Sequence, residues 1–167
     1  MIDYFKACEE GDIQKIRRYV KKRFSVNCKN ENGSTPLMIA IYYGHFDIVK
    51  LLIKNGADTE VKDHSGFNPL IVACYNGRLE IVRFLVEEIN VDIDSVNEFN
   101  ETPLSCSSRR GHFEITKYLI EKGVREEIEN REGKCYEDYL SVVQRNEISE
   151  IKKDIFSRRA MVKSGKR

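Results

Sequence analysis

Three histidines, five cysteines and a short run of serines are the side chains in this 167-residue chain that could carry chemistry. A zinc site needs three or four His, Cys or carboxylate ligands that converge in space. His45 and His112 each follow a glycine and have no Cys or second His at ligand spacing, so they read as residues that open a helix. His64 falls at a loop tip and reads as exposed. Ser105, Ser107 and Ser108 lack the Gly-x-Ser-x-Gly frame that holds a nucleophile on a strained turn. The glycines mark turns, and no Walker lysine with Ser/Thr accompanies them. Carboxylates are plentiful, but they lie in the first turns of helices and on polar faces. These residues point away from catalysis. No catalytic residue, cofactor or metal is expected.

Recognition chemistry is better represented. Tyrosine and arginine bury large area and still offer hydrogen bonds, so they are enriched at the energetic centres of interfaces. Tyr42-Tyr43, Tyr75-Asn76 and Arg109-Arg110 each stand just before a glycine, and Glu9-Glu10 stands before Gly11.

The elements that must position them are clearest between Asn32 and Asp63. Asn32-Gly33 marks a turn. Thr35 can cap a helix with its hydroxyl, and Pro36 fits the first helical position. A helix over Leu37 to Tyr43 is predicted, then Gly44, then a second helix over His45 to Asn55 closed by Gly56. Asp47 early and Lys54 late suit the second helix's dipole. Helices this short are unstable alone in water, so the unit needs neighbours.

The chain supplies them. Gly33, Pro36 and Gly44 recur 33 residues later as Gly66, Pro69 and Gly77. A third copy runs from Phe99-Asn100-Glu101-Thr102-Pro103 to Gly111-His112-Phe113, spaced by 34 because one residue enters near Ile89 to Val91. The motifs are STPLMIA with GHFDIVKLLIKNGAD, FNPLIVA with GRLEIVRFLV, and ETPLSCS with GHFEITKYLIEKG. A period of 33 built from a turn and two helices resembles the ankyrin-repeat family, over roughly residues 1 to 157. The expected fold is therefore an all-α ankyrin-repeat solenoid of helix–turn–helix units. Three full repeats (about 31–63, 64–97 and 98–130) lie between degenerate caps at 1–30 and 131–157.

In the first cap the second helix, Asp12 to Lys22, carries Lys15, Arg17, Arg18, Lys21 and Lys22, the polar outer face that an array end needs. Arg23 stands where Gly56 would be. A left-handed arginine costs about 1 kcal/mol, so this helix is expected to end another way. In the last cap Cys135-Tyr136 replaces Thr-Pro, with helices expected through Asp138 to Val143 and through Ile148, Ile151, Ile155 and Phe156. Ser157 to Arg167, with Arg158, Arg159, Lys163, Lys166 and Arg167, reads as a frayed helix end and a basic, disordered tail over 158–167.

The resemblance implies that a partner protein binds the concave face made by turn tips and first helices. The residues expected there are Tyr42, Tyr43, Tyr75, Asn76, Arg109 and Arg110, with Glu31, Asn32, Ser34, His64, Ser65, Phe67, Glu98, Phe99 and Glu101 at the tips. Tyr42, Tyr75 and Arg109 are the first choices. The family's histidine after Thr-Pro-Leu is replaced by Met38, Ile71 and Ser105, so the hydrogen bonding between adjacent turns is expected to differ. The leading function is a non-enzymatic interaction module, acting as adaptor, scaffold or inhibitor. The alternative is binding to an anionic surface or nucleic acid through the basic helix and tail.

Bulk properties fit. A net charge of +1 gives no global pull toward nucleic acid. No apolar run approaches a membrane span, and the first residues do not form a secretory signal. An odd set of widely spaced cysteines suits a reduced, intracellular protein, cytoplasmic or nuclear. A monomer is expected, and Met1 with two polar caps reads as a complete array.

Overall fold

A computed structural model describes residues 2–163. Its helices come in antiparallel pairs. The first of each pair are α1 (Ile2–Glu10), α3 (Pro36–Tyr43), α5 (Pro69–Tyr75) and α7 (Pro103–Arg109). The second are α2 (Ile13–Lys21), α4 (Phe46–Lys54), α6 (Leu79–Phe84) and α8 (Phe113–Lys122). A 3-10 turn over Tyr136–Tyr139 and the helix α9 (Val142–Lys163) complete the order. Each first helix packs on the next first helix, and each second helix on the next second helix, giving two rows. The core runs unbroken between the rows, from Tyr4 and Ile16 through Leu37, Leu52, Leu70 and Leu104 to Leu119 and Ile148.

Local chemistry explains the helix starts. Thr35, Asn68 and Thr102 cap α3, α5 and α7 by accepting from the backbone N–H of Met38, Ile71 and Ser105. Ser105 returns the favour by accepting from Thr102 N–H at 2.9 Å, a reciprocal capping box. Its role is therefore structural.

The turns are joined to one another. Asn30, Asp63, Asn97 and Asn130 each fold their side-chain oxygen back onto two N–H groups of their own turn. The tips then link by backbone bonds: His64 N–H to Asn32 carbonyl at 3.1 Å, Glu98 to Ser65 at 3.0 Å, and Arg131 to Phe99 at 3.0 Å. The turns are thus linked through backbone at positions where Met38, Ile71 and Ser105 stand in place of the family's histidine. A second set of links ties the helix pairs. His45 and His112 bond through Nε2 to the carbonyls of Glu9 and Tyr75, and Arg78 donates to the Tyr42 carbonyl. His45 and His112 do sit at their helix starts, but neither side chain caps its own helix. They staple neighbouring repeats.

Four sequence expectations need correction or completion. Arg23 is left-handed after all, with φ 56°. Phe24 N–H bonds to the Tyr19 carbonyl and Arg23 N–H to the Val20 carbonyl, and the Phe24 ring packs edge-on against Tyr19 and Tyr4. That Schellman closure with its apolar contact offsets the strain. The inserted residue is absorbed as a π-turn over Leu85–Ile89, after which Asn90 takes the left-handed position that Gly56 and Gly123 fill elsewhere. The helix expected through Asp138 to Val143 is instead the 3-10 turn, because Leu140 is extended and Ser141 starts a new helix by exchanging bonds with Gln144. Finally, the frayed helix end expected after Ser157 is α9 continuing to Lys163, with Arg158 paired to Asp154. Lys166 and Arg167 lie outside the described residues.

Candidate functional site

The residues singled out for recognition meet on the face built by the turn tips and first helices. Their arrangement follows one geometric rule. The residue just before each helix cap lies eight positions before the residue at the tyrosine or arginine site. In the 64–97 repeat this brings Phe67 against Tyr75, edge to face at 5.7 Å. In the 98–130 repeat it brings Glu101 against Arg109, with an Oε1–Nη2 distance of 2.8 Å. In the 31–63 repeat the corresponding pair is Ser34 and Tyr42. Serine is too small to cover the ring, and Tyr42 stays 50% exposed.

The result is two clefts sharing one wall. One, of about 280 Å³, is floored by Met38, Ile39 and Val72 and edged by Ser34, Tyr42, Phe67 and Tyr75. The other, of about 390 Å³, lies beyond the Phe67–Tyr75 pair and is edged by Phe99, Arg109, Asn130 and Arg131. Phe99 is 50% exposed at its tip. Tyr75 is half-buried, and the guanidinium carbons of Arg110 and Arg109 lie 4.6 and 5.5 Å from its ring centroid, within cation–π range.

Not every expected residue faces the clefts. Tyr43 turns aside, edge-on to Tyr42 and stacked near His45. Asn76 lines the first cleft, but its amide donates to the Val72 carbonyl at 2.8 Å and so helps finish α5. Arg109 has a structural duty. Its partner Glu101 keeps only 8% side-chain exposure and also accepts from Asn97 at 3.0 Å. The neighbouring Cys106 thiol is pushed well above its usual range, first by burial and then by the Glu101 carboxylate, and its Sγ sits 3.9 Å from Glu101. It is thus a neutral donor into that network.

Sequence reading placed Ser34 and Glu101 among the turn tips without their pairing to Tyr42 and Arg109, and it missed Arg131. The signal was present in the pairs eight apart: Ser34/Tyr42, Phe67/Tyr75 and Glu101/Arg109. The recurrence of Asn30, Asp63, Asn97 and Asn130 likewise announced the turn ladder.

Other chemistry is sparse. Among the described residues no cluster of His, Cys, Asp and Glu could hold a metal ion. Burial pushes the Cys8 thiol up to about 12 and holds the Cys74 thiol well above its usual range, so neither is a ready nucleophile. Arg17, Arg18, Lys21, Lys22 and Arg23 are exposed on and just after α2, and no ion pair engages them among the described residues. No helix of the described residues is long and apolar enough to cross a membrane.

Comparison with known proteins bears on the scaffold. The profile described as "Ankyrin repeats (3 copies)" matches residues 4–97, and that described as "Ankyrin repeat" matches 99–131. A human protein, "Ankyrin repeat and SAM domain-containing protein 1A", is 52% identical over 100 residues, 59% of this chain and 9% of that protein. "Ankyrin repeat-containing protein P1E11.10" of Schizosaccharomyces pombe is 35% identical over 52 residues, 31% of this chain and 25% of its own length. "Alpha-latrocrustotoxin-Lt1a" of Latrodectus tredecimguttatus is 34% identical over 123 residues, 72% of this chain and 9% of the toxin. The chain therefore spans a quarter or less of each of these relatives. The repeat period, the paired helices in two rows and the profile matches agree: the chain belongs to the ankyrin-repeat family.

Proposed function

We propose that this chain works by binding a partner protein on the face of turn tips and first helices, with Tyr42, Phe67, Tyr75 and Phe99 as the central contacts. Ankyrin repeats are in general protein–protein interaction modules. The observation that carries the reading is the pair of half-exposed rings, Tyr42 and Phe99, set on either side of the Phe67–Tyr75 wall. Exposed aromatics beside clefts lose much water-accessible area when a partner covers them, at small cost in side-chain entropy. Arg110 and Arg131 supply charge at the rim, while Arg109 contributes through its hold on Glu101. The role is that of an adaptor, scaffold or inhibitor without catalysis. A reducing, cytoplasmic setting goes with it, supported by free thiols at Cys8 and Cys74 packed in the core as small apolar groups.

Photocrosslinking tests this reading. A photoreactive phenylalanine analogue at Phe99 should capture a partner in the native cell, and the same group at Lys54, on the row of second helices, should not. Capture at Lys54 with none at Phe99 would place the interface on the other face.

A further inference from the structure

The two clefts differ in chemistry, and the difference describes what would fill them. Resting on the binding face proposed above, we infer that the partner presents a linear, extended segment. One apolar side chain enters the cleft opened by Ser34, and a carboxylate about three residues away meets the guanidinium group of Arg110 over the Tyr75 ring.

The first subsite exists because Ser34 stands where the next repeat has Phe67. In that next repeat the aromatic pair fills its own space. Beside Tyr42 the space is left open, over a floor of Met38, Ile39 and Val72. Its floor is hydrocarbon, and the side chain of Ser34 adds no ring to close it. An apolar side chain from outside would bury area on both partners here, at about 25 cal/mol per Å².

The second subsite is the Arg110 guanidinium on the Tyr75 ring, beside the second cleft, whose Glu132 carboxylate is paired with Lys134 at 3.1 Å. Glu101 is already satisfied by Arg109 and Asn97. Arg110 has no ion pair among the described residues and lies over Tyr75. Arg131 is well exposed and meets Glu98 only at 4.0 Å. The Arg110 guanidinium thus stands ready over an aromatic ring, and a carboxylate is the group it recognises best.

Spacing follows from the scaffold. Neighbouring helices pack about 8–10 Å apart, and an extended chain advances about 3.3 Å per residue. One repeat is therefore crossed in about three residues. The predicted pattern is apolar-x-x-Asp/Glu, read in one chain direction or the other.

Selection of phage-displayed random 12-residue peptides on the full chain tests this. The enriched peptides should share that pattern. Ser34→Phe, which copies the neighbouring Phe67–Tyr75 pair and fills the cleft, should weaken them at least tenfold while the protein stays folded. Arg110→Glu should weaken them at least tenfold and shift a fresh selection toward Lys or Arg at the acidic position. Enriched peptides indifferent to both changes would overturn the subsite assignment. If those peptides still respond to Tyr42→Ala with Phe99→Ala, the binding face survives and only its partner chemistry is wrong. If they ignore that pair as well, the face itself is wrong. A selection that enriches no peptide over an uncoated surface would overturn the linear segment.

Discussion

Gly66→Ala is expected to lower folding stability by about 3 to 4 kcal/mol, the sum of a left-handed side chain and an overpacked contact. Gly66 has φ 78°, and a Cβ there would come within 2.6 Å of the Glu98 backbone nitrogen and 3.0 Å of the Asn97 carbonyl carbon. Those atoms belong to the next turn, which is tied to Ser65 by one link of the ladder. Backbone cannot rotate away as a side chain can, so the turns would have to part. Gly111 is the control. It has nearly the same φ, 75°, and nothing lies within 4 Å of its would-be Cβ. Gly111→Ala should then cost only the strain, about 1 kcal/mol. Urea unfolding of both variants measures the contrast. Equal midpoints would mean that the turn ladder contributes little to stability.

Arg109→Ala is expected to cost about 2 kcal/mol, by stranding Glu101 rather than by losing a surface contact. Removing one partner of a fully buried ion pair costs about 3 to 5 kcal/mol. Arg109 keeps 36% side-chain exposure, so water can partly replace it, and the figure is discounted accordingly. Glu101→Gln should suffer less from the same change, because a neutral amide tolerates burial without a cation. A double-mutant cycle on unfolding midpoints isolates the coupling, and additive losses would remove the ion pair from the account. Arg109→Ala consequently confounds binding with stability. Truncating Tyr42 and Phe99, whose side chains make no hydrogen bond among the described residues, probes the face more cleanly.

Much of the scaffold was legible in the residues because its rules are local. Thr35, Pro36 and Gly44 each specify a backbone state within a few positions, and three repetitions in register leave little choice of architecture. What escaped was decided at longer range. Arg23 accepts a strained conformation because Phe24 gains an aromatic pocket formed by Tyr4 and Tyr19, one of them in another helix. The residue inserted near Ile89 was visible, but a π-turn followed by left-handed Asn90 is one of several ways to accommodate it. In the last cap, loss of the Thr-Pro signal hid the start of α9, which depends on Ser141 and Gln144.

The site shows the same division. Periodicity gave the positions of Tyr42, Tyr75 and Arg109 on one face. It did not show that each is matched to the residue eight before it. That pairing makes Tyr75 part of a wall, Arg109 part of a buried network and Tyr42 the open position. Tyr43, adjacent in sequence to Tyr42, is turned aside by the helix rotation of about 100° per residue.

A partner protein is expected to bind on the Tyr42–Phe99 face. Titration of a crosslinked partner, once purified, against the folded Tyr42→Ala/Phe99→Ala variant tests it most directly. Loss of two aromatic anchors should weaken binding at least a hundredfold, about 2.7 kcal/mol or more, with helicity and unfolding midpoint close to those of the parent. Affinity within twofold of the parent, in a variant that is still folded, would contradict it.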